Sequence, residues 1–550
     1  MTVKNVFFTI FCLCLVLITT RVYMQQGVPY THDGENHLAR FANYRAAIRE
    51  GQFPPRFAPN LENGYGYPVF NYNYPLANIL SVPLTIVGFS YETTFKLLIV
   101  AFLAFGAHAL WRLSSVYTDS FWSKSCALLV WLSSPFLVST VLFRGSIGEL
   151  LVYGLVPGLL YHLTLIARGR NLHVWDFVLW VAFFLAHNVS VLWVTPVLLS
   201  YFLLVWWQNK HPVEHLVRCT YLLSVSVAAS LWFWLPAITE MSAVVLGSAE
   251  NTLMFAQHFP TLQQLVSAPV QFGYSYPGSV DTMSFALGSI VWLSFLVFPV
   301  WFFSSGSAAS VKQHTRDMLF WGWSVMALLL FLQLHVSLGA WQLLPFLRFI
   351  QFPWRLSLLI PVLSAMLIGT MVSTLGVRFR VVIFVFLVGY WLALTSVQPL
   401  EFLHHADAHY DSFPLSTSTQ NENRSQAFTF TDIGNNPRKP FVSAGTGEIS
   451  QVTWGGSSRS YTVTTSEPST IIEPTMNFPG WSTMVNGEVV EYIDSTEIGG
   501  RIAYVVPAGQ FSVSTVFTQR TVPRRIGNTI SLVAIVWIFI GEGLLRKKAL

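Results

Sequence analysis

The side chains best suited to chemistry stand in the first polar segment, directly after an apolar run at residues 6–19. Five ionisable residues share nine positions there: His32, Asp33, Glu35, His37 and Arg40. An aspartate at a membrane surface can accept the proton of a reacting hydroxyl group if its neighbours tune its basicity. The alternative is that Asp33 only caps a helix, which contributes about 1 kcal/mol.

The residues after Asp33 predict a helix from about Gly34 to Arg49. Apolar residues such as Leu38 and Phe41 recur in it at nearly helical spacing. We therefore expect a helix that lies in the membrane interface, with these side chains toward lipid and the arginines toward headgroups. The other four ionisable residues of the segment would then support Asp33.

Further acids and arginines stand at the ends of later apolar runs and could converge on one outward cavity. Arg144 and Glu149 lie where one run ends and the next begins. A guanidinium can hold a phosphate with two parallel N–H groups. A carboxylate at the membrane edge is costly unless it is paired or functional. The alternative is a salt bridge between the two residues that only stabilises the helix ends.

Four more candidates follow from their positions. Arg56 lies in the first loop, and Glu240 and Arg355 lie at the outer ends of apolar runs. Arg355 could instead anchor its helix by reaching toward the interface. His187 interrupts a long apolar stretch, and irregular backbone at membrane depth occurs only beside protein or a water-filled cavity. A buried, hydrogen-bonded histidine is the plainer alternative for that residue.

The composition indicates lipid as the solvent around these residues. The 550 residues are 53% hydrophobic and 10% charged, whereas soluble domains carry roughly 25% charged residues. The net charge of +5 is spread over short segments between apolar runs. There it sets orientation, so no nucleic-acid partner is expected. The four cysteines lie in or beside apolar runs, so no disulfide framework is expected.

The apolar runs predict a polytopic α-helical membrane protein with about 12 to 13 transmembrane helices. Basic segments alternate correctly if 174–207 is two short helices that meet outside at His187, and if 75–90 dips into the membrane without crossing it. The competing count makes 75–90 a full span and 174–207 one helix, but it places Arg168 and Arg170 outside. We expect a multi-pass protein of the bacterial inner membrane with both termini cytoplasmic.

Composition also divides the chain into three parts. Residues 1–398 are the predicted transmembrane module, with a first outer loop at 25–74. Residues 399–525 are rich in Ser, Thr, Gly and Asn, and they predict a small extracytoplasmic domain, irregular to about residue 440 and β-rich beyond. The Asn-Gly pair at 486–487 predicts a hairpin. Residues 526–550 are the predicted final transmembrane helix and a basic cytoplasmic tail.

Motifs for several other functions are absent from the sequence. There is no P-loop, no GxGxxG motif, no Cys/His spacing recognised as typical of a metal site and no repeat. A nucleotide-driven pump is therefore unsupported, and no metal ligand is predicted. The β-rich domain is expected to be a lid or docking module.

Six motifs together resemble one family. They are His-Asp-Gly-x-x-His-Leu-x-Arg at 32–40, Pro-Pro-Arg-Phe at 54–57, Gly-Tyr-Gly-Tyr-Pro-Val-Phe at 64–70, Arg-Gly-x-x-x-Glu at 144–149, Ala-His-Asn at 186–188 and Gln-Phe-Pro-Trp-Arg at 351–355. The chain resembles the bacterial membrane proteins labelled 6-pyruvoyl-tetrahydropterin synthase-related. Through them it resembles the GT-C superfamily of polyprenyl-phosphate-dependent glycosyltransferases, which implies a GT-C-like architecture over nearly the whole chain.

The resemblance implies that a sugar passes from a polyprenyl-phosphate donor to a saccharide, lipid or protein acceptor on the outer face. It implies an inverting enzyme with Asp33 as the general base and Glu149 as its assistant. The residues expected to bind the substrate or its phosphate are Arg56, Arg144, His187, Glu240 and Arg355.

The chain departs from the GT-C pattern at two places. Gly34 and Glu35 follow Asp33 where those enzymes carry a plain acidic pair, and only one acid follows Arg144. Because a divalent metal site needs several carboxylates, the expectation is a metal-independent site. No cofactor is expected beyond the lipid-linked donor, and the other partners are membrane lipids and the acceptor.

Two other functions remain open. A transporter or flippase of a lipid-linked saccharide would carry ionisable residues at mid-helix depth and show repeat symmetry. A non-catalytic envelope-assembly protein would lose only stability when Asp33 or Arg144 is replaced. The ionisable residues gather near one face and no symmetry is found, which favours the enzyme over the transporter.

Overall fold

The structure is a computed structural model that describes residues 3–547 apart from a few short segments. The segments left out are 211, 248–250, 279, 305–310, 419–420, 433, 435 and 494–497. Lys548 of the predicted basic tail also lies outside the described residues.

Helices dominate the chain up to residue 395, and two more follow, a short one and a long one. They are α1 Val3–Thr19, α2 Gly34–Arg49, α3 Val69–Tyr72, α4 Leu76–Ile86, α5 Tyr91–Ser114, α6 Phe121–Leu132, α7 Pro135–Ser139, α8 Ile147–Ala167, α9 Val174–Ala186, α10 Asn188–Gln208, α11 Val213–Thr239, α12 Leu262–Ser267, α13 Ser289–Phe303, α14 Gln313–Gln333, α15 Leu338–Leu343, α16 Pro345–Arg348, α17 Ile360–Ser373, α18 Val377–Thr395, α19 Asp407–Asp411 and α20 Val522–Lys547. Each predicted apolar run contains one of these helices.

The long apolar helices make this a multi-pass membrane protein. Among the described residues, eight helices are long and apolar enough to cross a membrane, when the 3₁₀ helix Pro353–Leu358 and α17 are counted as one helix over residues 353–373. The number rises to nine if the pair 121–132 and 135–144, bent by 42°, is one span. Four shorter apolar helices of 10–17 residues occupy the remaining predicted runs. The predicted total of about 12 to 13 is reached only when these shorter helices are counted.

The shorter helices α9 and α4 lie at the two places where the sequence predicts an irregular membrane segment. α9 ends at Ala186 and α10 begins at Asn188, with His187 extended between them at φ −161° and ψ 111°. The predicted break at His187 is therefore present. α4 has 11 residues and is about 16 Å long, roughly half the hydrocarbon thickness. It is too short for a full span, in agreement with a helix that dips into the membrane.

Helix α8 lies at the centre of the bundle. Its apolar window is 83% buried inside the protein. A Cβ atom at Gly106 of α5 would lie 2.6 Å from the carbonyl oxygen of Gly154 in α8, so both helices need small residues where they approach. The close packing holds the first turn of α8, which carries Glu149, inside the bundle.

The predicted interfacial helix α2 is buried instead, so that prediction was wrong. Leu38 and Phe41 are fully buried and Arg40 is 6% exposed. The reason is that the chain after residue 399 covers this helix. Arg40 Nε donates to Thr417 Oγ1 at 2.9 Å, and its Nη2 donates to the carbonyl oxygen of Thr417.

The β-rich region after residue 440 forms two antiparallel sheets, and a short pair joins residue 28 to residue 403. The strands are β1 Val28–Pro29, β2 Phe402–Leu403, β3 Phe441–Ala444, β4 Gly447–Trp454, β5 Ser458–Thr465, β6 Ser469–Met476, β7 Trp481–Val485, β8 Glu488–Val489, β9 Arg501–Val506 and β10 Gly509–Phe517. The sheet orders are β4-β5-β10-β7-β8 and β3-β6-β9. Asn486 and Gly487, both with positive φ, form the predicted hairpin between β7 and β8.

Candidate active site

Asp33 is fixed through its main chain, while its carboxylate stays unengaged. Its amide donates to the carbonyl oxygen of Arg144 at 3.0 Å, and the amide of His32 donates to that of Phe143 at 3.0 Å. Asp33 stands at the N-cap of α2 but makes no side-chain cap bond. Thr31 Oγ1 accepts instead from the amide of Gly34 at 3.0 Å. Within the described chain, no hydrogen bond or ion pair engages the Asp33 carboxylate.

Two glycines of the 144–149 motif allow this contact between loops. Gly145 has φ +65°, and a Cβ there would overlap Thr31 Oγ1 and lie 2.8 Å from the amide nitrogen of Gly34. A Cβ at Gly148 would lie 2.5 Å from the ring of Tyr74. The motif therefore needs glycine at both positions because the first loop packs directly against them.

Arg144, Glu149 and Arg355 form one buried charge cluster. Arg144 holds Glu149 with both terminal nitrogens, Nη1 to Oε2 at 2.6 Å and Nη2 to Oε1 at 2.7 Å. Arg355 Nε lies 3.3 Å from Glu149 Oε1. The side chains of Arg144 and Glu149 are 7% and 1% exposed, so the pair is desolvated. Two cations thus share one anion.

Aromatic rings hold the two guanidinium groups in place. The Arg144 guanidinium lies 4.4 Å from the ring centre of Trp354, and that of Arg355 lies 4.9 Å from the ring centre of Phe352. Arg355 Nη1 also donates to the carbonyl oxygen of Ile350 at 3.0 Å. The 351–355 motif therefore positions both cations.

Tyr74 and two histidines border the cluster. The Tyr74 hydroxyl lies 3.4 Å from His37 Nε2, and its ring meets that of His187 edge to face at 4.9 Å between centres. His187 lies within electrostatic range of Glu149, and Tyr74 lies within range of both Asp33 and Glu149. Burial raises the pKa of Tyr74 to about 12, so its hydroxyl keeps its proton at neutral pH.

The segment around residue 273 covers the histidine beside Asp33. The His32 ring stacks on Tyr274 with 5.0 Å between ring centres and contacts Phe272 at 5.1 Å. Burial lowers the pKa of His32, while the neighbouring Asp33 carboxylate opposes that shift. A separate small cavity of about 20 Å³ borders Arg144 and Trp354.

A larger cavity of about 260 Å³ opens at the segment that leads to Arg144. It is lined by Thr19, Arg21, Val22, Gln25, Leu137, Val138, Val141, Leu142, Leu394, Thr395, Val397 and Gln398. The lining comes from the ends of α1 and α18 and from the bent pair before Arg144. Most of its side chains are apolar, which suits an acyl or prenyl chain.

Arg56 and Glu240 lie in a different buried cluster and are not brought to Asp33. Glu240 Oε2 accepts from Arg524 Nη2 at 2.8 Å and from Asn71 Nδ2 at 3.0 Å. Arg56 is fully buried and donates to the carbonyl oxygen of Trp232. Both predicted binding residues thus join the first loop to α11 and to the start of α20.

The residues predicted to support Asp33 also lie in separate places. His37 and Arg40 are buried in α2, where they contact Tyr74 and Thr417 respectively. Glu35 faces a pair of histidines that the sequence interpretation did not select. Its Oε1 lies 3.1 Å from His409 Nε2 and 3.7 Å from His405 Nε2. The signal that could have revealed them is the four-residue spacing of the two histidines beside a short helix.

Comparisons with known proteins give a limited likeness. No protein-family model matches the chain, and no curated protein sequence matches it. One similar solved structure is the single-particle cryo-EM structure of arabinofuranosyltransferase AftD from Mycobacteria, 17% identical with a TM-score of 0.44. Two classes of a mutant of that enzyme are 15% and 17% identical, with TM-scores of 0.42 and 0.41.

The alignments with AftD are partial. Each covers 72% of this chain but only 26% or 28% of the other, so the chain spans about a quarter of that enzyme's length. At these TM-scores the likeness carries no argument about function. The resemblance to the pterin synthase-related family stays a prediction, and the site itself has to support the function.

Proposed function

We propose that this chain is an integral-membrane glycosyltransferase that moves a sugar from a polyprenyl-phosphate donor to an acceptor on the extracytoplasmic face. The acceptor hydroxyl gives its proton to the Asp33 carboxylate while its oxygen attacks the anomeric carbon of the sugar. The bond from that carbon to the phosphate oxygen breaks, and the polyprenyl phosphate leaves with the electron pair. A single displacement of this kind inverts the anomeric configuration.

The observation that carries the proposal is the position of Asp33 against the Arg144 segment. A main-chain hydrogen bond of 3.0 Å fixes it there, while Thr31 does the capping that would otherwise engage the carboxylate. A carboxylate can act as a base only if its oxygens are free to accept the proton. Asp33 is partly exposed, so a substrate hydroxyl can approach it.

The charge of the neighbouring cluster suits the leaving phosphate. Arg144 and Arg355 set two positive charges beside Glu149 in a largely desolvated cluster, and the Asp33 carboxylate lies within electrostatic range of Arg355. Once Asp33 takes the proton of the acceptor, the two arginines face the single negative charge of Glu149. An unbalanced positive charge in such surroundings attracts an anion more strongly than it would in water. In this role Glu149 orients the two guanidinium groups, and Arg144 and Arg355 stabilise the phosphate as the C–O bond breaks.

The 260 Å³ cavity supports a lipid-linked donor. Val141 and Leu142 line it, and Arg144 follows them in the chain. A prenyl chain that occupied the cavity would therefore present its phosphate close to the cluster. We place this cavity and Asp33 on the extracytoplasmic side of the bacterial inner membrane, with both termini cytoplasmic.

We propose that the transfer at Asp33 needs no metal ion. Glu149 already forms an ion pair with both terminal nitrogens of Arg144, one of which also donates a hydrogen bond to it, and lies beside Arg355. A divalent cation there would have to displace a guanidinium and would face its positive charge. The arginines supply the charge compensation for the phosphate that a metal ion provides in other phosphate sites.

The test is a transfer assay with purified protein in lipid nanodiscs. A panel of radiolabelled polyprenyl-phosphate sugars is combined with an extract of envelope glycolipids and glycans, and product is followed by chromatography. We expect transfer from at least one donor and a loss of about 10²–10⁴-fold in the Asp33→Asn variant. The variant should be produced in the same amount, because the carboxylate holds no structural partner.

The matched control is Glu488→Gln, which makes the same acid-to-amide change on the exposed strand β8. It should transfer sugar at the wild-type rate. Wild-type turnover in the Asp33→Asn variant would refute the assignment of the base. Absence of transfer from every donor in the panel would count against the transferase and favour the transport or assembly functions.

A further inference from the structure

Three metal-ligating side chains meet at the start of α2, outside the transfer site. Among the described residues, Glu35, His405 and His409 are the one group of three or more His, Cys, Asp or Glu side chains whose ligand atoms lie within 4.8 Å of one another. The two imidazole rings stack with 4.1 Å between centres and 17° between planes. Glu35 and the histidines are about one-third exposed, so an ion in solution can reach them.

The protein positions these histidines without needing an ion. Asp407 Oδ1 accepts from the amide of Tyr91 at 3.1 Å, and the hydroxyl of Tyr91 donates to Asp411 Oδ1 at 2.8 Å. Tyr410 is buried beneath the helix. These contacts fix the other sides of α19, so His409 is held toward Glu35. The pairing of β1 with β2 fixes the chain just before His405.

The separations fit the spacing of ligands around a small cation. Ligands at about 2.0–2.1 Å from a tetrahedral ion lie about 3.4 Å from one another. Glu35 Oε1 lies 3.1 Å from His409 Nε2 and 3.7 Å from His405 Nε2, values on either side of that spacing. A hydrogen bond alone explains the first distance. It does not explain the second, which is too long for a hydrogen bond.

We propose that Glu35, His405 and His409 bind a divalent cation of the zinc class. Two imidazoles and one carboxylate form a set of three that Zn²⁺ uses with water in the fourth position. Calcium and magnesium are disfavoured because they take several oxygen ligands. This site is separate from the transfer at Asp33, and its existence does not depend on the proposed transferase activity.

The ion would tie distant parts of the chain together. Glu35 lies in the first turn of α2, and the histidines lie 370 and 374 positions later. A bound ion would hold the chain after residue 399 onto the helix that begins at Asp33. Glu35, His405 and His409 are in this sense positioning residues for the first loop.

The experiment measures zinc binding directly, without donor or acceptor. The full chain is purified in detergent through a tag that contains no histidine, stripped with a chelator, and titrated with Zn²⁺ by calorimetry. Metal content after dialysis gives the stoichiometry. We expect one Zn²⁺ per chain, and binding at least about 100-fold weaker in His405→Ala, His409→Ala and Glu35→Gln, because even loss of an outer-shell partner costs 10–100-fold.

The matched control is His404→Ala, which removes the adjacent histidine that packs on Gly27 and should bind zinc as the wild type does. X-ray absorption of the zinc-loaded wild type should show two imidazole ligands. The proposal is overturned if the wild type binds no zinc, or if His409→Ala and Glu35→Gln bind it as tightly as His404→Ala. Either result leaves the transfer assay unaffected, so the two proposals can fail separately.

Discussion

The amide nitrogen of Asp33 donates to the carbonyl oxygen of Arg144 across 3.0 Å and so joins two loops through main-chain atoms. Such a bond does not depend on which side chain either residue carries. The Asp33 carboxylate can therefore be replaced while the two loops stay together, whereas loss of the Arg144 guanidinium would leave Glu149 buried without its ion pair. Substitutions at this site separate chemistry from folding better than they would where side chains hold the loops.

Replacing Glu149 should cost stability as well as activity. Glu149→Gln leaves Arg144 and Arg355 buried side by side without their counter-charge, and we expect the free energy of unfolding to fall by about 3–5 kcal/mol. Thermal denaturation of the purified protein measures this. The control is Glu214→Gln, since Glu214 is 69% exposed in its ion pair with Arg218 and should cost at most about 1 kcal/mol. If both variants lost the same free energy of unfolding, the buried cluster would contribute no more to stability than an exposed ion pair.

Replacement of glycine by alanine should destabilise the protein at Gly148 but not at Gly389. Gly148→Ala places a Cβ 2.5 Å from the ring of Tyr74, and we expect a loss of about 1–3 kcal/mol together with reduced transfer. Gly389→Ala lies in α18 with no atom within 4 Å of its added Cβ. That change should be neutral or stabilise by up to about 1 kcal/mol, because alanine favours a helix over glycine. A destabilised Gly389→Ala would contradict the packing described here.

Thr31 should keep the Asp33 carboxylate free to accept a proton from the acceptor. Thr31→Val removes the oxygen that accepts from the amide of Gly34, at a cost of about 1 kcal/mol. Without that cap, Asp33 can take the extended backbone of an N-cap residue and turn its carboxylate toward the amides of Glu35 and Asn36, and transfer should fall by more than the lost stability explains. Thr31→Ser keeps the hydroxyl and should retain wild-type activity. An active Thr31→Val variant would show that Asp33 does not need Thr31 to leave it free.

The Glu240 and Arg524 pair should matter for folding rather than for donor binding. Arg524 is fully buried and contacts Glu240 at 2.8 and 3.1 Å. Arg524→Met should destabilise the protein by about 3–5 kcal/mol, and the variant with Glu240→Gln as well should recover part of that loss. The folded fraction should keep the wild-type KM for the donor. A raised KM for the donor with unchanged stability would instead show that Glu240 belongs to the substrate site.

Much of the framework could be predicted from local sequence signals. The apolar runs predicted the helices. The interruption at His187 predicted the break between α9 and α10, and the Asn-Gly pair predicted the hairpin at residue 486. The contact between Arg144 and Glu149 follows from their spacing at the end of one helix and the start of the next. These features depend on residues close together in the chain.

The remaining features depend on residues far apart. Glu35 meets His409 across 374 positions, and Glu240 meets Arg524 across 284 positions. At such separations a single sequence carries no signal of which residues pair. The burial of α2 had the same cause, because Thr417 and its neighbours supply the cover. The sequence also does not indicate a role for Arg524, because this residue stands at the start of an apolar segment that predicts only a transmembrane helix.

The pairing of Glu240 with Arg524 has a consequence for the order in which the protein is made. Glu240 leaves the ribosome 284 residues before its partner does. Until α20 is synthesised and inserted, the carboxylate has no guanidinium to meet, and α11 lacks the neighbour that Gly527 brings against Leu231. The cluster around Glu240 therefore completes its assembly only after the start of α20 has been made. A nascent chain stalled short of residue 524 should remain a substrate for quality-control proteases.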